Sequence, residues 1–148
     1  MKKYFGFSKK LLLWYRKNKR DLPWRKTKDP YKIWISEMML QQTTIKTVIP
    51  YFNRWIKRFP TIKDVAKSSE QEILRLWQGL GYYNRAKNIK KTADIIVSSF
   101  KGIFPQKYDL LKKLPGFGPY TTGAVLSIAL IKEFLLLMLM FGASLCVF

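Results

Sequence analysis

Three observations in the sequence predict an all-α fold. Apolar residues recur at steps of three and four along several segments. Helix-opening signals precede these segments and glycines or prolines separate them. No stretch alternates apolar and polar residues between hairpin turns, and neither an internal repeat nor a low-complexity linker is found. With 148 residues, 48% of them apolar, one compact domain is expected.

Taken in order, Phe5, Leu12, Leu13 and Trp14, followed by Arg16, Lys17, Lys19 and Arg20, predict an amphipathic helix that ends in a basic turn near Pro23. Asp29 and Pro30 supply an N-cap and a first helical residue for "YKIWISEMMLQQT", which is apolar on almost every face except at Glu37 and the two glutamines. Thr44 opens the next helix. Pro50 is expected near its first turn, because a proline inside a helix costs about 3 kcal/mol. Thr61 with Asp64, and Ser69 with Glu72, have capping-box spacing and predict two short helices. In the second, Ile73, Leu76, Trp77 and Leu80 fall on one buried stripe. Gly79 and Gly81 break the helix before "NRAKNIKK" restarts it, and Gly102 and Pro105 separate that helix from "QKYDLLKKL".

The charge balance narrows the function. Twenty-eight Lys and Arg against nine Asp and Glu give a formal net charge of +19, which draws polyanions, nucleic acid before membrane. The absence of histidine excludes imidazole catalysis and histidine-built zinc sites, and a lone Cys146 forms neither an internal disulfide nor a cysteine cluster. Any chemistry rests on carboxylates, hydroxyls or amines. The N-terminal apolar run is broken by Lys9 and Lys10 and lacks a small-residue cleavage site, so no signal peptide is expected, and the cytoplasm is the expected compartment.

Two features carry chemistry. "LLKKLPGFGPYTTGAVLSIAL" predicts a helix, a tight turn with Gly116 and Gly118, and a second helix opened by Pro119. Such a turn lets backbone approach a phosphate, with N–H groups at the helix start facing the anion and Lys112 and Lys113 adding charge. Sequence-independent duplex binding follows. The other feature is Glu37. Its neighbours Ile33, Trp34, Ile35, Met38, Met39 and Leu40 leave little room for a solvated carboxylate, and an acid in apolar surroundings keeps its proton to higher pH and can act as a general acid.

"LPWRKTKDPYKIWISEMMLQQT", "LWQGLGYYNRAKN" and "LPGFGPYTTGAVLSIAL", in that order and separation, resemble the catalytic core of the MutY-type adenine DNA glycosylases of the helix-hairpin-helix superfamily. The resemblance spans about residues 3–134. It implies base-excision repair: hydrolysis of the N-glycosidic bond of adenine mispaired with 8-oxoguanine or guanine in double-stranded DNA, by a monomeric, nucleoid-associated protein without a membrane partner. It further implies that Glu37 protonates the extruded adenine and that Tyr120 supports the sugar cation or its covalent capture. Arg20, Trp24, Arg25 and Leu40 would line the base pocket. Gln42, Thr43, Leu80 and Tyr82 would enter the duplex beside the orphaned base, and Gly116 and Gly118 would grip the backbone. For Trp24, Leu80 and Tyr82 the residues alone favour plain core packing. Tyr120 stands where bifunctional relatives carry a Schiff-base lysine. Thr44 replaces the family's usual glutamine, a change expected around the lesion partner.

Past the hairpin helix the resemblance stops. The six-helix-barrel module is largely present, the iron–sulfur module is missing, and the four cluster cysteines have no counterpart, so neither a cofactor nor a metal is expected in this chain. The segments expected are 1–134, a partial glycosylase domain, and 135–148, an uncharged apolar tail. With Phe134 included, the fifteen uncharged residues 134–148 would reach about 22 Å as a helix, short of a hydrocarbon core of about 30 Å, so a membrane span is not expected. A codon choice permitted at every residue of 133–142 reads Glu-Phe-Pro-Ile-Ile-Asp-Ala-Asn-Val-Trp once one T is restored near its start, matching the family's next motif with the aspartate at the place of Met138. The tail is therefore expected to be out-of-frame translation and the chain to have little or no glycosylase activity. The alternative weighed is a non-catalytic duplex-binding remnant.

Overall fold

The computed structural model describes residues 13, 14 and 17–130. The tail and most of the expected first helix, including Phe5, Leu12 and Arg16, lie outside the described residues. Of that helix, Leu13, Trp14, Lys17 and Asn18 are helical, and Leu13 and Trp14 face solvent at 57% and 53% exposure.

Seven α-helices and one 3-10 turn, with no strand, make up the described residues. The turn is Pro23–Lys26. α1 runs Pro30–Leu40, with the Asp29 carboxylate accepting from the Tyr31 N–H at 2.9 Å. α2 runs Ile45–Arg58, α3 Ile62–Lys67, α4 Glu70–Trp77, α5 Asn84–Phe100, α6 Tyr108–Leu111 and α7 Pro119–Leu130. Thr44 caps α2 and Ser69 caps α4, each accepting from the N–H three residues on, while Asp64 accepts from both the backbone N–H and the hydroxyl of Thr61. Lys101 and Gly102, at φ +56° and +84°, end α5, and the Gly102 N–H reaches back to the Ile96 carbonyl.

Pro50 corrects an expectation. With Ile45 as the first helical residue, it sits inside α2 in the second turn. The bond lost at Pro50 is offset by the apolar stripe of Val48, Phe52 and Trp55, all buried, which holds α2 against the core.

α1 is the axis of the packing. It lies against α2, α7 and the 3-10 turn, and α5 carries α3 and α4 on its other surfaces. Trp34, Trp55 and Trp77 are fully buried. Trp34 stacks on Phe117 at 5.3 Å, and Trp55 meets Trp77 edge-on at 5.7 Å. Trp55 Nε1 donates to the Tyr31 hydroxyl, which in turn donates to the Phe59 carbonyl, so these two polar side chains are satisfied where water is excluded, whereas Trp34 Nε1 is buried without a partner.

Candidate DNA-processing site

Between the 3-10 turn, α1 and the start of α7 lies a pocket of about 310 Å³. Trp24, Arg25, Ile33, Leu40 and Ile45 form much of its wall, and Glu37 and Tyr120 contribute its acid and its phenol. Glu37 is 9% exposed, because α1 is enclosed nearly all round. Burial pushes its pKa up to about 7, while a hydrogen bond with the Tyr120 side chain pulls it down. The carboxyl is thus poised to give up a proton near neutral pH. Trp24 is buried with its ring edge-on to Phe52 at 5.3 Å, which fixes the wall it forms.

One residue along α1, Met38 meets the hairpin turn between α6 and α7. Gly116 has φ +80°, which favours glycine, and a Cβ there would stand 2.8 Å from Met38 Cε and 3.3 Å from Asn88 Cβ, so both neighbours would have to give way. The Thr92 hydroxyl donates to the Pro115 carbonyl at 2.7 Å and ties the turn to α5. Gly118 differs. It is exposed and has nothing within 4 Å of a built Cβ, leaving room for an incoming group beside the N-terminus of the twelve-residue α7. Lys112 and Lys113 are exposed next to this turn.

Two turns border an open groove of about 750 Å³ lined by Gln41, Gln42, Tyr82, Tyr83, Asn84 and Arg85. Gln42 lines both groove and pocket, and Tyr82 is 62% exposed. Thr43 is half-buried, and its hydroxyl donates to the Gln41 carbonyl at 3.4 Å. Leu80, which the resemblance sends to the duplex and residue spacing to the core, is 5% exposed and packs in the core: Gly79 and Gly81, at φ +97° and +71°, turn the chain there, and the Leu80 N–H bonds the Trp77 carbonyl. Arg20 is not among the residues that line the pocket. The chain at Arg20 is not helical, the residue is exposed, and its carbonyl accepts from Arg25 Nη1 at 3.4 Å.

Residues 35–136 match the family described as "HhH-GPD superfamily base excision DNA repair protein". The chain belongs to that superfamily. It is 53% identical over 131 residues to the adenine DNA glycosylase of Buchnera aphidicola subsp. Acyrthosiphon pisum, covering 88% of this chain and 37% of that protein. Against the rat adenine DNA glycosylase it is 44% identical, covering 84% of this chain and 26% of the relative. The chain therefore spans little more than a third, or less, of these relatives. Among solved structures, a thermostable thymine-DNA glycosylase superposes with a TM-score of 0.81 at 32% identity, covering 89% of this chain and 61% of that one. A non-covalent endonuclease III–DNA complex superposes at 0.63 and 29% identity, covering 68% and 47%.

Within this HhH-GPD chain, Arg85 is the residue that sequence reasoning missed. It is buried, yet none of the ion pairs among the described residues involves it. Its Nη1 donates to the carbonyls of Met38 at 2.9 Å, Met39 at 3.1 Å and Gln41; its Nη2 donates to those of Leu80 and Gly81, both at 3.1 Å. The guanidinium also lies 5.3 Å from the Trp77 ring centroid and 5.5 Å from that of Tyr82. The one available signal was an arginine in "GYYNRAKN" with no acid within a helical turn.

No group of three or more acidic, cysteine or histidine side chains that could hold a metal occurs among the described residues. The chain's single thiol, Cys146, does not fit a four-thiolate cluster. No helix among the described residues is long and apolar enough to cross a membrane.

Proposed function

We propose that this chain carries the base pocket and duplex grip of an adenine DNA glycosylase acting on adenine paired with 8-oxoguanine or guanine. The observation that supports this most is Glu37, buried in a pocket, bonded to Tyr120 and holding its proton to about pH 7. An adenine swung out of the stack would enter beside Trp24 and Leu40. Glu37 gives its proton to a ring nitrogen of the base. The N-glycosidic bond then breaks with its electron pair leaving on the base, and the sugar gains oxocarbenium character next to the Tyr120 hydroxyl. Water adds to the sugar carbon, and its proton returns to the Glu37 carboxylate. Gly116 and Gly118 hold the backbone through N–H groups at the turn, and Lys112 and Lys113 through charge. The adenine glycosylases, at 53% and 44% identity, support adenine over the thymine of the 32% identical neighbour.

A second reading, duplex binding without base release, is favoured by one observation. Among the described residues lining the pocket, Glu37 is the one carboxylate, so no second negative charge faces the developing sugar cation. Single-turnover release of adenine from an A:8-oxoguanine duplex, measured for this chain and for Glu37→Gln, separates the readings. Release that disappears in the variant while duplex binding persists supports the first. Salt-sensitive binding with release from neither supports the second, and equal release from both removes Glu37 from the chemistry.

A further inference from the structure

Two of the three non-glycine residues at positive φ among the described residues are Gln42, at +56°, and Tyr82, at +48°. Each directly follows a carbonyl that Arg85 holds, that of Gln41 and that of Gly81. The φ of a residue sets how the preceding carbonyl points, so fixing those two carbonyls on one guanidinium fixes both unusual backbones. The bonds cross from residue 85 back to 38–41 on one side and to 80–81 on the other, and Arg85 Nη2 also reaches Thr43 Oγ1 at 3.4 Å. Met38 and Met39 contribute carbonyls at the negative end of α1, which favours a cation without a carboxylate partner. A planar fork with two outer nitrogens can serve two sets of acceptors at once; an ammonium cannot.

We infer that Arg85 is a positioning residue whose single guanidinium joins the 40–43 and 80–82 turns into one rigid unit, holding Gln42 and Tyr82 at a fixed spacing across the groove. That the unit is presented to DNA rests on the function proposed above; the joining of the turns does not. The pairing makes Gln42 and Tyr82 a two-pronged surface rather than two independent loop tips. Neither prong rearranges on contact, so the ordering needed at a duplex is already in place.

The backbone N–H groups of Thr43, bonded to the Leu40 carbonyl at 3.2 Å, and of Leu80, bonded to the Trp77 carbonyl at 3.0 Å, report on the two turns. Native-state hydrogen exchange on the free chain, followed against urea below the unfolding transition, is the test. In the unaltered chain the two amides are expected to open together, with the same urea dependence; separate openings would overturn the inference. In Arg85→Lys both are expected to exchange about tenfold faster or more, with α3 and the core of α7 unchanged. Acceleration of one amide alone, or of neither, overturns it, and the unaltered chain supplies the answer if the variant does not fold. A duplex carrying 2-aminopurine then tests the link to DNA: the fluorescence rise on unstacking should fall in Arg85→Lys while the salt dependence of binding is kept. Exchange that changes as expected beside an unstacking signal that does not would leave the joined turns standing and sink the DNA role. A salt slope reduced by about one ion would instead make Arg85 a direct phosphate contact and overturn its positioning role.

Discussion

Replacing Glu37 by glutamine should make the protein more stable, and more so as pH rises. Burial lifts the carboxyl from 4.5 to about 7, which corresponds to about 3 kcal/mol in favour of its protonated form. Because the folded-state value is the raised one, the stability that the neutral carboxyl contributes is fully present below pH 4.5 and is lost as pH climbs through 7. Glutamine keeps the shape and never ionises, so the variant escapes that loss. The difference between the two proteins should be small at pH 5 and approach ~3 kcal/mol at pH 8, on the order of 10 °C in Tm for a chain of this size. Urea or thermal melts at several values between pH 5 and 8 measure it. A gap that is constant across that range, or a wild-type protein that gains on the variant as pH rises, would refute a buried, proton-holding Glu37.

Three other changes have defined outcomes. Gly116→Ala forces a side chain into positive φ and against Met38 and Asn88, so it should cost ~1–3 kcal/mol in denaturant melts, whereas Gly118→Ala should leave stability nearly unchanged and weaken duplex affinity. Tyr120→Phe removes the hydrogen bond that lowers the Glu37 pKa, so the Glu37 titration, followed by carbon NMR of its carboxyl, should move to still higher pH. Thr92→Val keeps volume but deletes the bond to the Pro115 carbonyl in a fully buried place; a loss of ~1–3 kcal/mol in urea melts is expected, accompanied by weaker duplex binding as the turn loosens.

What the sequence made legible followed from local rules. Asp29, Thr44, Thr61 and Ser69 stand at helix starts because a side-chain oxygen three residues or fewer from free N–H groups is a local device. The burial of Glu37 was legible because apolar residues surround it on every face of one helix. What was not legible depends on distant segments. Pro50 lies deep in α2 because tertiary burial of Phe52 and Trp55 outweighs a local penalty. Leu80, by contrast, was legible: its spacing from Ile73 and Trp77 put it on a buried stripe, and it is 5% exposed. The role of Arg85 depends on carbonyls as many as 47 positions away, and backbone oxygens leave no mark in a side-chain pattern. Arg20, assigned to the pocket by motif alone, is exposed and outside the lining residues.

α1 has almost no outward side: of its eleven residues, eight are buried, on all sides of the helix. Most helices keep a solvent face where random substitutions pass unnoticed, and that slack lets a lineage drift. Here nearly every exchange from Tyr31 to Met39 would open a void, force an overlap or strand a polar atom. In a lineage losing sequence elsewhere, this stretch should be among the last to blur, a natural anchor for recognising even badly decayed copies of the gene.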